Sequence, residues 1–303
     1  MSFVNDKDVI EDGDLVILHL GQQNMQKLTV SKGKTHQTRW GCLRHDDILD
    51  KPFGSRIECA NGYIYALKPT PELWTVTLSH RTQILYSTDI SVVILQLDLK
   101  PGKIVVESGT GSGSLSHAII RTVIPDGHLY TYEFHEQRAL VAKEEFTDHG
   151  FADNVTVTHR DVIERGFDLN DKADAVFLDL PNPQQAVAHA RDALKPEGGR
   201  LCSFSPCIEQ VQKTCVEMSK LDFQEITTME CLIRNFEVRS LKMATPDMGD
   251  IEPLSYADDN ALGLLCQSEQ AVTFKSAIPP QQQAGHTGYL TFATLFHKST
   301  DTT

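Results

Sequence analysis

With 303 residues the chain is long enough for a full-sized core and for one large domain with a smaller one beside it. Its 40% apolar and 23% charged residues are the balance of a folded soluble protein and exclude wholesale disorder, and no apolar run approaches the ~18–20 residues of a membrane span. A net charge of −13 argues against strong unaided binding to nucleic acid, because phosphate neutralisation dominates that affinity; an RNA substrate would require a basic partner.

The start, MSFVNDKDVIEDGD, is acidic where a signal or transit peptide would be basic, so an intracellular protein is expected. Residues 14 to 67 read as short strands, DLVILHL, KLTV, RIECA and GYIYAL, separated by turn residues Gly21, Gly33, Gly41, Gly54 and Asn61-Gly62. They predict a small all-β N-terminal module over 1–70. KPTPELW follows at 68–74, where Pro69 and Pro71 end a strand and stiffen the connection.

Past residue 86 the pattern changes. Apolar periods near 3.6 alternate with short continuous apolar runs, which predicts an α/β fold around a mostly parallel sheet over 71–303. Helices are expected near 87–98, 114–124, 136–149, 184–194 and 208–220. Strands are expected at 103–107, 128–134, 154–159, 174–180, 199–204, 231–242 and 289–296. The segment 244–284 lacks periodicity, holds Asp247, Asp250, Glu252, Asp258, Asp259 and Glu269, and ends in a PPQQQ run; it reads as a mobile insertion. The seven cysteines, Cys42, Cys59, Cys202, Cys207, Cys215, Cys231 and Cys266, form no C-x-x-C pair, which argues against a disulfide framework and a zinc site.

The stretch VVESGTGSGSLSHAII, 105–120, joins a strand to a helix through a glycine-rich turn whose backbone can approach a ligand closely. A dinucleotide loop needs G-x-G-x-x-G, and position 114 is serine. The spacing is E-x-G-x-G-x-G, with Glu107 closing the strand. A carboxylate there would repel a pyrophosphate and suits a cationic ligand, of which S-adenosylmethionine, with its sulfonium and ammonium groups, is an example. A structural turn or another nucleotide is the alternative.

Acids also close the next three strands. Glu133 ends HLYTYE, where a doubly wound fold places an acid on ribose hydroxyls; a solvated acid is the alternative. Asp161 follows VTVTHR, suited to an adenine amine or to capping a helix. Asp179 ends ADAVFLD and runs into Leu180-Pro181-Asn182-Pro183, a rigid frame that could hold a planar nitrogenous acceptor; a helix cap is again the alternative. Methyl transfer from a sulfonium is an in-line displacement that needs alignment more than a strong base. If the acceptor is adenine N1, it carries no proton, and a carboxylate accepting from the N6 amine would orient the ring and stabilise its developing charge.

With those residues assembled, the chain resembles the catalytic subunits of eukaryotic tRNA (adenine-N1)-methyltransferases, which modify the T-loop adenosine at position 58 in tRNA numbering. The matching stretches are PTPELW (69–74), HRTQILYSTDI (80–90), ESGTGSGS (107–114), ADAVFLD (173–179), CSFSPCIEQVQ (202–212) and GHTGYLTFAT (285–294). The resemblance implies a seven-stranded class I, Rossmann-like methyltransferase domain behind the β-rich module. It implies S-adenosylmethionine as cofactor, tRNA as substrate and no metal. It also implies a nuclear heterotetramer of two such subunits with two non-catalytic RNA-binding subunits, which would answer the charge problem. Cofactor contacts carry over to Leu85, Glu107, Ser108, Gly109, Gly111, Ser112, Gly113, Ser114, Leu115, Glu133, Arg138, Asp161, Val162 and Asp179, with Asp179 also the catalytic group.

KGKTHQTRWG, 32–41, mixes basic, polar and aromatic groups fit for phosphate contact and base stacking, a plain hairpin with Trp40 packed inward being the alternative. By resemblance the RNA contacts are Leu20, Gly21, Gln22, Thr35, His36, Gln37, Thr38, Arg39, Trp40, Gly62, Tyr63, Pro181, Asn182, Pro183, Ser203, Ser205, Pro206, Gln210, His286, Thr287 and Gly288. The chemistry needs neither His286 as a base nor Cys207 as a nucleophile. By the same resemblance, tRNA-like sites in mRNA are a further expected substrate. A non-catalytic RNA-binding subunit of the same fold would be expected to lose Glu107, the glycines or Asp179, and all are present. A nicotinamide-dependent oxidoreductase is disfavoured by Ser114 and Glu107.

Overall fold

The computed structural model describes residue 3 and residues 7–21, 24–244, 271–282, 285 and 288–298. Two compact units result, one formed by residues 1–231 with 286–303 and one by 232–285. In chain order the first unit begins with β1 (Leu15–Gly21), β2 (Asn24–Thr29), β3 (Thr35–Thr38), β4 (Gly41–Arg44), β5 (Ser55–Cys59) and β6 (Gly62–Leu67). Strands β2-β1-β6-β5 make an antiparallel sheet and β3–β4 a hairpin. Val16, Leu18, Leu20, Leu28, Leu43, Ile57 and Ile64 fill a core that belongs to this β-rich module.

KPTPELW then departs from the expected stiff connection. It starts a helix, α1 (Pro71–Thr77), because Thr70 caps it, its hydroxyl accepting from the Leu73 N–H at 3.3 Å. Pro71 sits at the first helical position, where the missing N–H would have had no partner anyway. The segment 79–86 leads to α2 (Ser87–Gln96). The doubly wound part follows with β7 (Ile104–Ser108), α3 (Ser114–Val123), β8 (His128–Glu133), α4 (Glu136–Asp148), β9 (Val155–His159), α5 (Val162–Arg165) and β10 (Ala175–Asp179). After a 3-10 turn at Pro183–Ala186 come α6 (Val187–Ala193), β11 (Gly199–Ser205), α7 (Ile208–Lys220), β12 (Gln224–Met229), β13 (Glu237–Ala244), β14 (Ala271–Ile278) and β15 (Tyr289–Leu295).

Seven strands form one sheet in the order β12-β15-β11-β10-β7-β8-β9. Pairings from β11 through β9 are parallel, and β15 is antiparallel to both neighbours. The central strands are apolar on both faces, as buried parallel strands must be: Val105, Ala175 and Phe177 point into the core with α2, α3 and α4, while Val106, Val176 and Leu178 point into the core with α6 and α7. Chain order reverses between β7 and β10, so the carboxyl ends of these two strands flank a crevice where open α/β sheets bind ligands.

The expected seven-stranded class I methyltransferase architecture with a β-rich N-terminal region is thus present. Two segments differ from expectation. β12 was not anticipated, because its exposed, mostly polar sequence carries no apolar signal. The expectation of no regular structure over 244–284 fails at Ala271–Ile278, which pairs antiparallel with Glu237–Ala244 in the second unit. The acidic residues 247–269 lie outside the described residues.

Candidate active site

The crevice is a cleft of about 420 Å³ lined by the ends of β7, β8, β9 and β10, with a smaller recess beside the glycine loop. Ser108, Gly109, Gly111, Glu133, Arg138, Asp161, Val162 and Asp179 line the cleft, and Leu85, Glu107, Ser112, Gly113, Ser114 and Leu115 line the recess. Every expected cofactor contact therefore falls on one continuous region around the switch point.

Their side chains do different work. Gly113 caps α3 in the left-handed region at φ +77°, which a residue with a Cβ adopts only at strain. Gly109 leaves a cradle: a Cβ there would stand 3.8 Å from the Asp179 and Tyr132 carbonyls and 3.9 Å from Glu133 Oε2. The serines look inward. Ser112 Oγ accepts from the backbone N–H groups of Arg81 (2.9 Å) and Thr82 (3.1 Å), and Ser114 Oγ donates to the Leu85 carbonyl at 2.9 Å. Arg81 reaches from the same segment to the Gly111 carbonyl and to Glu145 on α4 at 3.0 Å. Residues 81–85 are thus a strap fastened to the glycine loop, and Thr82 and Gln83 in it line both cavities. Sequence reading took Leu85 from this stretch and missed its neighbours, although HRTQILY was one of the matching motifs.

Four carboxylates gather here. Glu107 is buried, with Ser116 and Thr131 donating to its Oε2 at 2.6 and 2.7 Å; burial, with Asp179 and Glu133 nearby, nonetheless pushes it up to about 7. Glu133 accepts from the Gly111 and His135 N–H groups at 3.0 and 3.1 Å and pairs with Arg138 at 2.8 Å, so that Arg138 is fixed at the cleft wall rather than solvated. Asp161 caps α5, with Oδ1 accepting from the Ile163 and Glu164 N–H groups at 2.9 and 3.3 Å, so the capping alternative is the one observed, and the residue also borders the cleft. Asp179 is no helix cap. Its side chain opens to the cleft, yet the protein on its other sides, helped by Glu133, pushes its carboxyl up to about 6. Tyr132, Phe134, His135, Arg160 and Ile163 also line the cleft and were not anticipated, and Leu180 lines it as part of the frame that follows Asp179.

The donor set fits a cationic nucleoside ligand. A glycine cradle and the first turn of α3 present backbone amides, while acids at four strand ends supply negative charge and acceptors for hydroxyls and amines. A bare pyrophosphate would meet that charge unfavourably.

The expected RNA residues divide. Pro181 and Asn182 are exposed and line the cleft beside Asp179; Pro183 is buried. Gln210 bridges toward them, its amide donating to the Pro181 carbonyl at 2.8 Å, and Pro206 is exposed nearby. Ser203 and Ser205 are buried in the sheet, and Gly288 is buried against the Phe204 ring. In the module, Leu20 is a core residue whose carbonyl accepts from Arg39 and from the Trp40 indole N–H. Trp40 is half-buried and lies where a Cβ on Gly62 would meet its ring at 2.8 Å, with the Arg39 guanidinium over the indole; Gly21 faces that same guanidinium. Thr38 is buried and braces the β3–β4 turn through the Gly41 carbonyl. Thr35, Gln37 and Arg39 are exposed, His36 pairs with Gln26, and Tyr63 is exposed under the Arg56 guanidinium. Gln22, His286 and Thr287 lie outside the described residues.

Fold and site together define a Rossmann-like, S-adenosylmethionine-dependent methyltransferase. Residues 62–295 match the family described as the tRNA methyltransferase complex GCD14 subunit, and the chain belongs to that family. It is 42% identical over 306 residues, covering 96% of this chain and 98% of the relative, to the tRNA (adenine(58)-N(1))-methyltransferase catalytic subunit of Dictyostelium discoideum. It is 42% identical over 245 residues to the subunit of the same name from Candida albicans, covering 79% of this chain and 73% of that one. Among solved structures, a SAM-dependent O-methyltransferase of Thermotoga maritima superposes with a TM-score of 0.77 at 28% identity over 97% of both chains. The tRNA (m1A58) methyltransferase TrmI of Aquifex aeolicus, 22% identical, shares the fold with a TM-score of 0.70 over 95% of this chain and 98% of that chain. The family resemblance drawn from the motifs is borne out.

Proposed function

We propose that this chain is the catalytic subunit that methylates N1 of the T-loop adenosine at position 58 of tRNA. The observation that carries the reading is Asp179, a carboxylate open to the cleft at the end of β10, with Gly109 on one side and Pro181-Asn182 on the other. The curated relatives, named for this reaction, support it.

S-adenosylmethionine supplies the methyl group as a sulfonium. In this reading Glu133 accepts from its ribose hydroxyls, Asp161 and the backbone at Val162 meet its adenine, and Glu107, Asp179 and the loop amides face its charged end. Asp179 accepts from the exocyclic amine of the target adenine. That contact orients the ring and grows stronger as methylation turns the ring cationic, so its benefit falls on the transition state. N1 offers a lone pair and no proton, so the site needs no base.

The β-rich module, residues 1–70, is the proposed RNA and partner surface, with Thr35, Gln37, Arg39 and Tyr63 exposed on it and Pro181, Asn182, Pro206 and Gln210 flanking the cleft. A subunit of charge −13 needs a basic companion to hold RNA, which favours a nuclear assembly of two catalytic and two non-catalytic RNA-binding subunits. tRNA-like stem-loops in mRNA would present the same adenosine.

The test is transfer of labelled methyl to tRNA by the chain with and without its partner, with mapping of the modified base and native mass measurement of the assembly. Asp179→Ala is expected to lower kcat by roughly 10²–10³, the usual effect of removing one preorganised transition-state group, with the melting temperature preserved. Methylation of another base, or near wild-type turnover by the variant, would refute the assignment.

A further inference from the structure

Beneath the glycine loop two histidines that the transfer chemistry does not use are buried and bonded to each other. His117, on α3, and His149, after α4, are 0% and 5% exposed. His117 Nδ1 lies 2.6 Å from the Gly113 carbonyl and its Nε2 lies 2.8 Å from His149 Nδ1. A carbonyl only accepts, so Nδ1 of His117 carries the proton; a neutral ring then leaves Nε2 to accept from the His149 Nδ1–H. Burial pushes His117 down to about 3 and His149 down to about 4, so both rings are neutral near pH 7. Phe146, Phe151 and Trp74 pack around them with ring centroids 4.6 to 5.6 Å away, and the Phe3 N–H donates to the His149 carbonyl.

The Gly113 carbonyl is the pivot of the loop. As the cap of α3 it has no side chain to anchor it, and its helical bond from the His117 N–H is long at 3.2 Å. The imidazole holds the same oxygen more closely. In a planar trans peptide the carbonyl and the following N–H point in opposite directions, so fixing the Gly113 oxygen fixes the direction of the Ser114 N–H; Ser114 lines the recess, and its side chain is turned to Leu85. We propose that His117 is a positioning residue for the cofactor: it aims the Ser114 amide into the recess by holding the Gly113 carbonyl, and His149 locks the required tautomer. The inference rests on the reading that the glycine loop holds S-adenosylmethionine.

Calorimetric titration of the full chain with S-adenosylmethionine and with S-adenosylhomocysteine tests it, alongside ligand-free thermal melting. His117→Leu removes the donor, whereas His117→Asn places an amide N–H where Nδ1 stood. The leucine variant should bind both ligands about tenfold more weakly, the scale of one lost hydrogen bond, and the asparagine variant should stay within about threefold of the parent. Equal weakening in both variants would mean that the ring only fills space, and would overturn the proposal. Glu133→Gln separates the two readings. If it binds weakly while His117→Leu binds like the parent, the positioning role fails alone; if Glu133→Gln binds like the parent, the assignment of the loop fails. Should His117→Leu melt below the assay temperature, His149→Phe takes its place. It frees His117 to exchange tautomers, and about threefold weaker binding is expected, unchanged binding being the refuting result.

Discussion

Glu107→Gln should make the ligand-free protein more stable at pH 8 and its cofactor binding weaker. The carboxyl is 1% exposed and its midpoint stands at about 7 against an ordinary 4.5, chiefly because burial strips its water. At 1.36 kcal/mol per pH unit, ionising it in the folded state costs about 3 kcal/mol more than in the unfolded chain. The sign follows from the raised value. The wild-type protein has the full benefit of a protonated Glu107 below pH 4.5 and loses it as pH rises toward 7. Glutamine is neutral throughout and keeps a carbonyl oxygen for the Ser116 and Thr131 hydroxyls. The variant should therefore gain about 2–3 kcal/mol at pH 8 and about 1 kcal/mol or less at pH 5. In a chain of this size that is a rise of several degrees in Tm at the higher pH. Thermal melts of the ligand-free chain at pH 5 and 8, with calorimetric cofactor titration at pH 8, decide the matter. Equal destabilisation at both pH values would show that the acid is a structural hydrogen-bonding group and that its charge is not held in reserve for a ligand.

Two more outcomes follow from the same geometry. Affinity for S-adenosylmethionine should rise from pH 5 to about 7.5 and then flatten, because binding a cation favours the ionised forms of Asp179, raised to about 6, and Glu107, raised to about 7; a flat profile measured by calorimetry would contradict this. Tyr63→Ala should weaken tRNA binding by the partnered chain by roughly five- to a hundredfold, the range of one lost base stack, without changing cofactor affinity; filter binding at fixed salt separates it from a general loss of charge attraction.

The acids at the ends of β7, β8 and β10, and Asp161 just past β9, were legible in the sequence because a strand end is a local event: an apolar run stops at a carboxylate. The glycine loop was legible for the same reason. The strap was not, since Arg81 meets Ser112 and Glu145 across 31 and 64 residues and no local pattern encodes that meeting. Ser112 and Ser114 were carried over as ligand contacts by resemblance, and the structure shows their hydroxyls bonded to the strap, Ser112 accepting from the Arg81 N–H and Ser114 donating to the Leu85 carbonyl. Pro71 was ambiguous by nature. A proline that ends a strand and one that opens a helix look alike until the Thr70 cap is seen. Burial separated the RNA candidates: Leu20, Thr38, Ser203 and Ser205 sit inside, while Tyr63, Pro181 and Asn182 reach the surface.

The strap also redraws where one half of the protein ends. Ser112 and Ser114 bind residues that come before α2, so one wall of the recess is delivered by the chain leaving the β-rich module. A fragment begun at α2 would keep all seven strands, the glycine loop and every acid, and would open its ligand recess to water along that side. Strap and transferase sheet therefore have to be inherited, expressed and exchanged as one piece, with any cut between the two halves placed ahead of residue 81.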